Sequence, residues 1–218
     1  MRHYAFTGKP LGLVSTREPS RAPRTPQKDC VFCKIIASEG EDEKEEGGED
    51  ENENRNEKGK KSNELVFSTP ELVVFDDHRP AATRHLLVCP REHIDGLYDL
   101  EGERDLELLD EMIRVAEKIV LEAAAEAAST STSTSSSSTS SASATKVKLG
   151  FHIPPWNSVD HLHLHAFLLP HTGGIGQRIR FAETPGGKAR LWFATAEQVR
   201  ARLVARNREA KEQKRMKK

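Results

Sequence analysis

Leu106, Leu109, Met112, Ile113, Ala116, Ile119 and Val120 recur at steps of three and four. That spacing lines one face of a helix, and it predicts an amphipathic helix from about Gly102 to past Glu122. Elsewhere the apolar positions come in short runs. Glu64–Ser68 and Glu71–Asp77 read as two strands with a Thr69-Pro70 turn between them. "HLLVCP", His85–Pro90, is a third strand, "VKLGFH", Val147–His152, a fourth, and His161–Leu169 a fifth. Cys30–Ala37 reads as a short helix or helical turn, and Thr195–Gln213 as a final helix that becomes polar and basic. Five strands around one central helix predict an α+β domain built on an antiparallel sheet.

Two stretches carry no such pattern. Glu39–Asn63 is dominated by Glu, Asp, Asn, Lys and Gly, and Ala123–Thr145 is Ala followed by Ser and Thr. Neither buries enough apolar surface to offset chain entropy, so both are expected to be disordered inserts, with Ala123–Ala128 prolonging the helix before them. What remains is one domain over 30–203, preceded by a basic segment, 1–29, and followed by a basic tail, 204–218.

Composition adds little to that picture, and charge adds more. The net charge of −1 conceals an acidic insert and the basic run "RNREAKEQKRMKK". A basic tail reads as a solvated helix end, a nuclear-import signal or a weak nucleic-acid contact. No run of about 18 apolar residues exists, so no membrane span is expected. Three cysteines make no disulfide framework, which fits a reducing cytoplasmic or nuclear setting.

The candidate chemistry lies in "DHLHLHAFLLP", Asp160–Pro170. On a strand, alternate side chains share a face, so His161, His163 and His165 form a row while Leu162 and Leu164 point the other way. Such a row is a polar face, a metal site, or a nucleophile with hydrogen-bonding neighbours acting on phosphorus. Histidine suits the last because its ordinary pKa lies near neutrality.

"HLHLHAF" resembles the signature of the histidine-triad (HIT) nucleotide hydrolases and transferases. "FDDHRPAATRHLLVCPREHI", Phe75–Ile94, resembles the block upstream of that signature. "LGFHIPPWNSVDHLHLH", the Cys-Val-Phe-Cys start and the "LWFATAEQVRARL" ending resemble the third type of nucleotide-binding protein in that family. The resemblance implies a five-stranded antiparallel sheet with a long helix, and a homodimer. It implies an adenosine 5′-monophosphoramidase that releases AMP and an amine from a purine nucleotide substrate. His163 would be the nucleophile, His165 would bond the phosphoryl oxygens, His161 would do the same or help tune its neighbour, and His85 would orient the nucleophile. Ser158 would bond the phosphate or the leaving amine. Asp77 would hold the ribose, Asn157 the phosphate, and Phe75 would wall the base or fill the core.

This chain departs from the family around "PPWNS", where better-studied members carry a glycine-rich lead-in, and at His78, where many have an apolar residue. Pro154 and Pro155 remove two amide donors. Cys30 and Cys33 form Cys-x-x-Cys, which is half a zinc site. The resemblance implies completion by His85 and His161 as a structural zinc, with no cofactor needed for catalysis. The other reading of these two cysteines is as small core hydrophobes, and Cys89 is expected to be buried and inert. Two further functions stand beside the hydrolase: a DNA-adenylate hydrolase resembling aprataxin, with a nucleic-acid partner, and a non-catalytic nucleotide-binding module. Dinucleoside polyphosphate hydrolysis and scavenger decapping of mRNA are lesser enzyme variants.

Overall fold

The computed structural model describes residues 24–39, 65–130, 146–172, 174–182 and 192–217. The elements run α1 (Val31–Ser38), β1 (Leu65–Ser68), β2 (Leu72–Asp76), β3 (Arg84–Pro90), α2 (Gly102–Thr130), β4 (Val147–His152), β5 (Leu164–Leu168), α3 (Ile175–Arg180), β6 (Phe193–Thr195) and α4 (Ala196–Met216). The sheet has six strands, not five, in the order β1-β2-β3-β5-β4-β6, and every neighbouring pair is antiparallel. The extra strand is β6, from the "LWFAT" run. Three residues are too short to display a period of two, so it left no pattern to read.

The sheet's two faces have different roles. Leu86 and Val88 of β3, Phe151 of β4, and Leu164, Ala166 and Leu168 of β5 face one way. They bury against Leu109, Met112, Ala116 and Val120 of α2 and Val199 and Leu203 of α4. Each buried leucine contributes about 1.5–3 kcal/mol, so a one-residue slip of β5 would expose its leucines and bury imidazoles in their place. That fixes His165 and Phe167 on the opposite face, where His165 pairs with Leu87 of β3 and with Gly150 of β4. Gly150 has no alternative there. A Cβ would lie 2.4 Å from the Phe193 ring and 2.5 Å from the Ala194 carbonyl oxygen.

The ends of the long elements are tied together. Thr195 closes β6 and caps α4 in a reciprocal pair with Gln198. Asn207 on α4 accepts from the Gly102 amide and donates to its carbonyl, which fixes α4 to the start of α2. Ahead of α1, Arg24 grips Asp105 through two bonds of 2.5 Å. Alanines from 123 onward do prolong α2, to Thr130, while the rest of the Ser/Thr insert lies outside the described residues. So does the acidic insert beyond Glu39, and so does the basic segment before Arg24. The basic tail continues α4 to Met216. Among the described residues no helix is long and apolar enough to cross a membrane.

Candidate active site

Only His165 of the three alternating histidines lies on a strand; β5 begins at Leu164, so His161 and His163 occupy the extended stretch just before it. The alternation nevertheless holds. Leu162 and Leu164 enter the main core, and all three imidazoles are buried on the other face. The Leu162 amide donates to the Ile94 carbonyl at 2.6 Å, which anchors the stretch where the ladder is missing. His163 Nδ1 donates to the carbonyl oxygen of His161 at 2.6 Å. That bond assigns the proton of a neutral ring to Nδ1 and leaves Nε2 as a lone pair. Burial lowers the pKa of His163 from its ordinary value, against the raising effects of that bond and of Asp77.

A second chain of bonds has one direction. The Ala81 amide donates to His85 Nδ1 at 3.3 Å, so His85 carries its proton on Nε2. His85 Nε2 then donates to His165 Nδ1 at 2.9 Å. His165 must therefore hold its own proton on Nε2, and that atom is buried with no hydrogen-bond partner among the described residues. Burial pushes His85 to about 4 and holds His165 well below its ordinary value, so both rings are neutral near pH 7. Asp77 stands beside them, its Oδ2 3.5 Å from His85 Nε2 and 3.9 Å from His165 Nδ1.

His163 and His165 open into a cleft of about 460 Å³. Val31, Phe32, Ile35, Phe75 and Leu87 form an apolar wall; Asp76, Asp77, His78, Arg79, Ser158 and Arg180 supply polar groups. Phe75 is both wall and core, since its buried ring packs 5.4 Å from that of Phe32. Asp77 accepts the Arg79 amide at 2.8 Å, and the exposed His78 lies 3.5 Å from it. Ser158 reaches the cleft, but Asn157 does not line it. The Asn157 amide instead donates to the Val159 carbonyl and to Asp160, bracing its own loop.

The two cysteines gather elsewhere. Cys30, Cys33, His93 and His161 place one potential ligand atom each within 4.8 Å of all the others. The fourth donor is thus His93 where His85 was expected; His85 groups with Asp77 and His165 on the far side of the row. Cys30 Sγ lies 3.4 Å and Cys33 Sγ 3.5 Å from His161 Nδ1, and Cys33 Sγ lies 3.3 Å from His93 Nδ1. Tetrahedral zinc with bonds of about 2.0–2.3 Å separates its ligands by roughly 3.3–3.8 Å, so the set fits. The outward nitrogens fit too. His161 Nε2 donates to the Pro90 carbonyl at 2.8 Å and His93 Nε2 to Asp95 at 3.2 Å, turning both Nδ1 lone pairs toward the thiols. A zinc here would tie α1 to the start of the histidine stretch. Cys89 is fully buried, with its thiol pKa raised well above the ordinary value by burial.

Sequence reasoning assigned no role to three residues that the fold brings in. His93 was visible only as part of "PREHI". His152, in "GFH", packs edge-to-face on His165 at 4.8 Å between ring centres. Its Nδ1 donates to the Trp192 carbonyl at 3.2 Å, and its Nε2 is buried and unpartnered among the described residues. Burial brings its pKa to about 4. Arg180 ends α3, which has no period strong enough to find in six residues.

The family model described as scavenger mRNA decapping enzyme C-term binding matches residues 50–180, more than half of the chain. A bifunctional adenosine 5′-phosphosulfate phosphorylase/adenylylsulfatase, HINT4 of Arabidopsis thaliana, is 29% identical over 65% of this chain and 71% of its own. The adenosine 5′-monophosphoramidase HINT3 of Mus musculus is 28% identical over 89% of this chain and 97% of its own. A histidine triad protein structure from Clostridium difficile covers 69% of this chain and 98% of its own at 20% identity, with a TM-score of 0.44.

Proposed function

The chain belongs to the family described as scavenger mRNA decapping enzyme C-term binding and is related to the histidine-triad hydrolases, and on that premise we propose that it is a nucleotide hydrolase cleaving the P–N bond of adenosine 5′-phosphoramidates. The observation that carries the proposal is the 2.6 Å bond from His163 Nδ1 to the His161 carbonyl, which leaves Nε2 unprotonated. A neutral imidazole with a free lone pair is the nucleophile that such a displacement needs.

His163 Nε2 attacks the α-phosphorus, a P–Nε2 bond forms, and the P–N bond to the leaving amine breaks as the amine takes up a proton from solvent. Water then attacks the same phosphorus and gives up a proton to solvent, the P–Nε2 bond breaks, and AMP leaves with His163 neutral again. In both steps His165 Nε2–H, a buried donor with no partner among the described residues, bonds a phosphoryl oxygen. His85 holds His165 in the tautomer that makes this possible. Ser158 supplies a second donor at the cleft, and Asp77 accepts from the ribose hydroxyls. Phe75, Phe32 and Leu87 give the purine an apolar wall. His161 serves the metal set rather than the phosphoryl group, since its Nδ1 faces the two thiols and its Nε2 is spent on Pro90.

The likeness to a monophosphoramidase over 89% of this chain supports the P–N substrate. The test is a matched assay of wild type and His163→Ala on an adenosine 5′-phosphoramidate and on a 5′-adenylated DNA end. Turnover of the phosphoramidate by wild type alone, with the DNA end poor, supports the reading. A preference for the DNA end replaces it with the DNA-adenylate reading. Binding of AMP with no turnover of either contradicts an enzymatic role.

A further inference from the structure

The cleft holds a cation that the steps above leave unused. Arg180 ends α3 and lines the same wall as His163, His165 and Ser158. Its neighbour Phe181 packs into the site. That ring is buried, 5.4 Å from His165, 5.4 Å from His85 and 5.1 Å from His152. The Arg180 guanidinium sits 5.8 Å from the centre of the same ring. Its charge is felt by His85, His152, His163 and His165, lowering the pKa of each.

The acids at the cleft are occupied. Asp76 faces Arg84 at 3.5 Å, and Asp77 is held by the Arg79 amide, His78 and His85. Among the described residues, Arg180 has no ion pair with either. The phosphoryl group has donors of its own in His165 and Ser158. An adenylyl substrate whose leaving group is neutral brings one negative charge, and those donors meet it. A guanidinium left over beside them is suited to a second negative charge, one carried by the leaving group, because its fork bonds carboxylate, sulfate and phosphate alike.

We propose that Arg180 is a specificity-determining residue that selects adenylyl substrates whose leaving group is itself anionic: an amine bearing a carboxylate, or a sulfate or phosphate. This rests on the nucleotidyl-histidine reading of the site and names the substrate class within it. Leaving-group binding near the reacting centre raises kcat/KM for the substrate that makes the contact and does nothing for one that cannot. An exposed guanidinium also acts through a field that salt screens.

The test uses the full chain as wild type, Arg180→Met and Arg180→Lys with three substrates. They are the adenosine 5′-phosphoramidate of a neutral amine, that of an amino acid with a free carboxylate, and adenosine 5′-phosphosulfate. The readout is the ratio of kcat/KM, anionic over neutral leaving group, at low and high salt. In Arg180→Met this ratio is expected to fall about tenfold or more, with its salt dependence lost, while Arg180→Lys retains part of both. The two anionic arms separate a carboxylate from a sulfate as the preferred group. An unchanged ratio in Arg180→Met, whether through equal loss on all three substrates or no loss on any, overturns the proposal while leaving the nucleotidyl-histidine reading intact. A wild type that turns over none of the three, and forms no covalent nucleotidyl-enzyme, overturns the underlying reading and this proposal with it.

Discussion

His85 Nε2 donates to His165 Nδ1 across 2.9 Å, and the Ala81 amide behind His85 allows that bond one polarity only. The relay ends on a buried His165 Nε2–H with nothing among the described residues to receive it. A buried unpaired donor costs roughly 1–3 kcal/mol, so its presence points to a ligand oxygen in that place.

His85→Phe removes the donor that sets the His165 tautomer and keeps a ring of similar volume. Single-turnover formation of the nucleotidyl-enzyme is expected to slow about tenfold or more, matching one directed hydrogen bond. His85→Gln, whose amide can still donate, is expected to recover part of the rate. Equal rates in the Phe and Gln variants would remove the relay from the account.

His93 completes the cysteine cluster, and His85 does not touch it. Metal analysis of purified protein is expected to find about one zinc per chain in wild type and in His85→Ala. Cys30→Ser and His93→Ala are expected to lose it and to unfold at lower temperature. Zinc lost from His85→Ala but kept in His93→Ala would contradict the assignment.

Burial holds His85 and His152 at about 4, against 6.5 in an unfolded chain. As pH falls below 6.5 the unfolded chain takes up protons that the folded chain refuses. The stability these rings contribute is therefore full above about pH 6.5 and is lost progressively as pH falls toward 4. A shift of this size corresponds to roughly 3 kcal/mol per ring as an upper bound. Denaturant midpoints at pH 7 and pH 5 are expected to differ more in wild type than in His152→Phe, which has one such ring fewer. Identical differences would show that His152 is not held neutral by the fold.

Gly150 meets Phe193 and the Ala194 carbonyl too closely for a Cβ. Gly150→Ala forces β4 and β6 apart and is expected to cost about 1–3 kcal/mol in urea unfolding. It should also reduce activity, because Phe193 packs against His152. A variant as stable as wild type would mean that β6 yields without cost.

Much of this was legible in the chain, for physical reasons. The strict alternation around His163 fixed which side chains share a face even where no ladder bonds form, since Leu162 and Leu164 need the core. The amphipathic spacing from Leu106 to Val120 gave α2 for the same reason. Asp77, Phe75, Ser158, His163 and His165 do meet in one cleft, whereas Asn157 turns into its own loop. What stayed hidden depends on tertiary placement. β6 and α3 are too short for a period. The choice of His93 over His85 as metal donor turns on which end of β3 each lies at. His85 is an inward residue of β3, while His93 follows that strand and folds back beside α1.

The central claim is that His163 becomes covalently nucleotidylated. Wild type mixed with an adenosine 5′-phosphoramidate labelled in its phosphate, quenched under denaturing conditions that preserve phosphoramidate bonds, and mapped by peptide mass spectrometry tests it most directly. The account predicts a transient adenylyl group on the peptide carrying His163, located at that residue and absent from His163→Ala. AMP released at full rate with no trapped adenylyl group in single-turnover time courses, or a label on another residue, would contradict it.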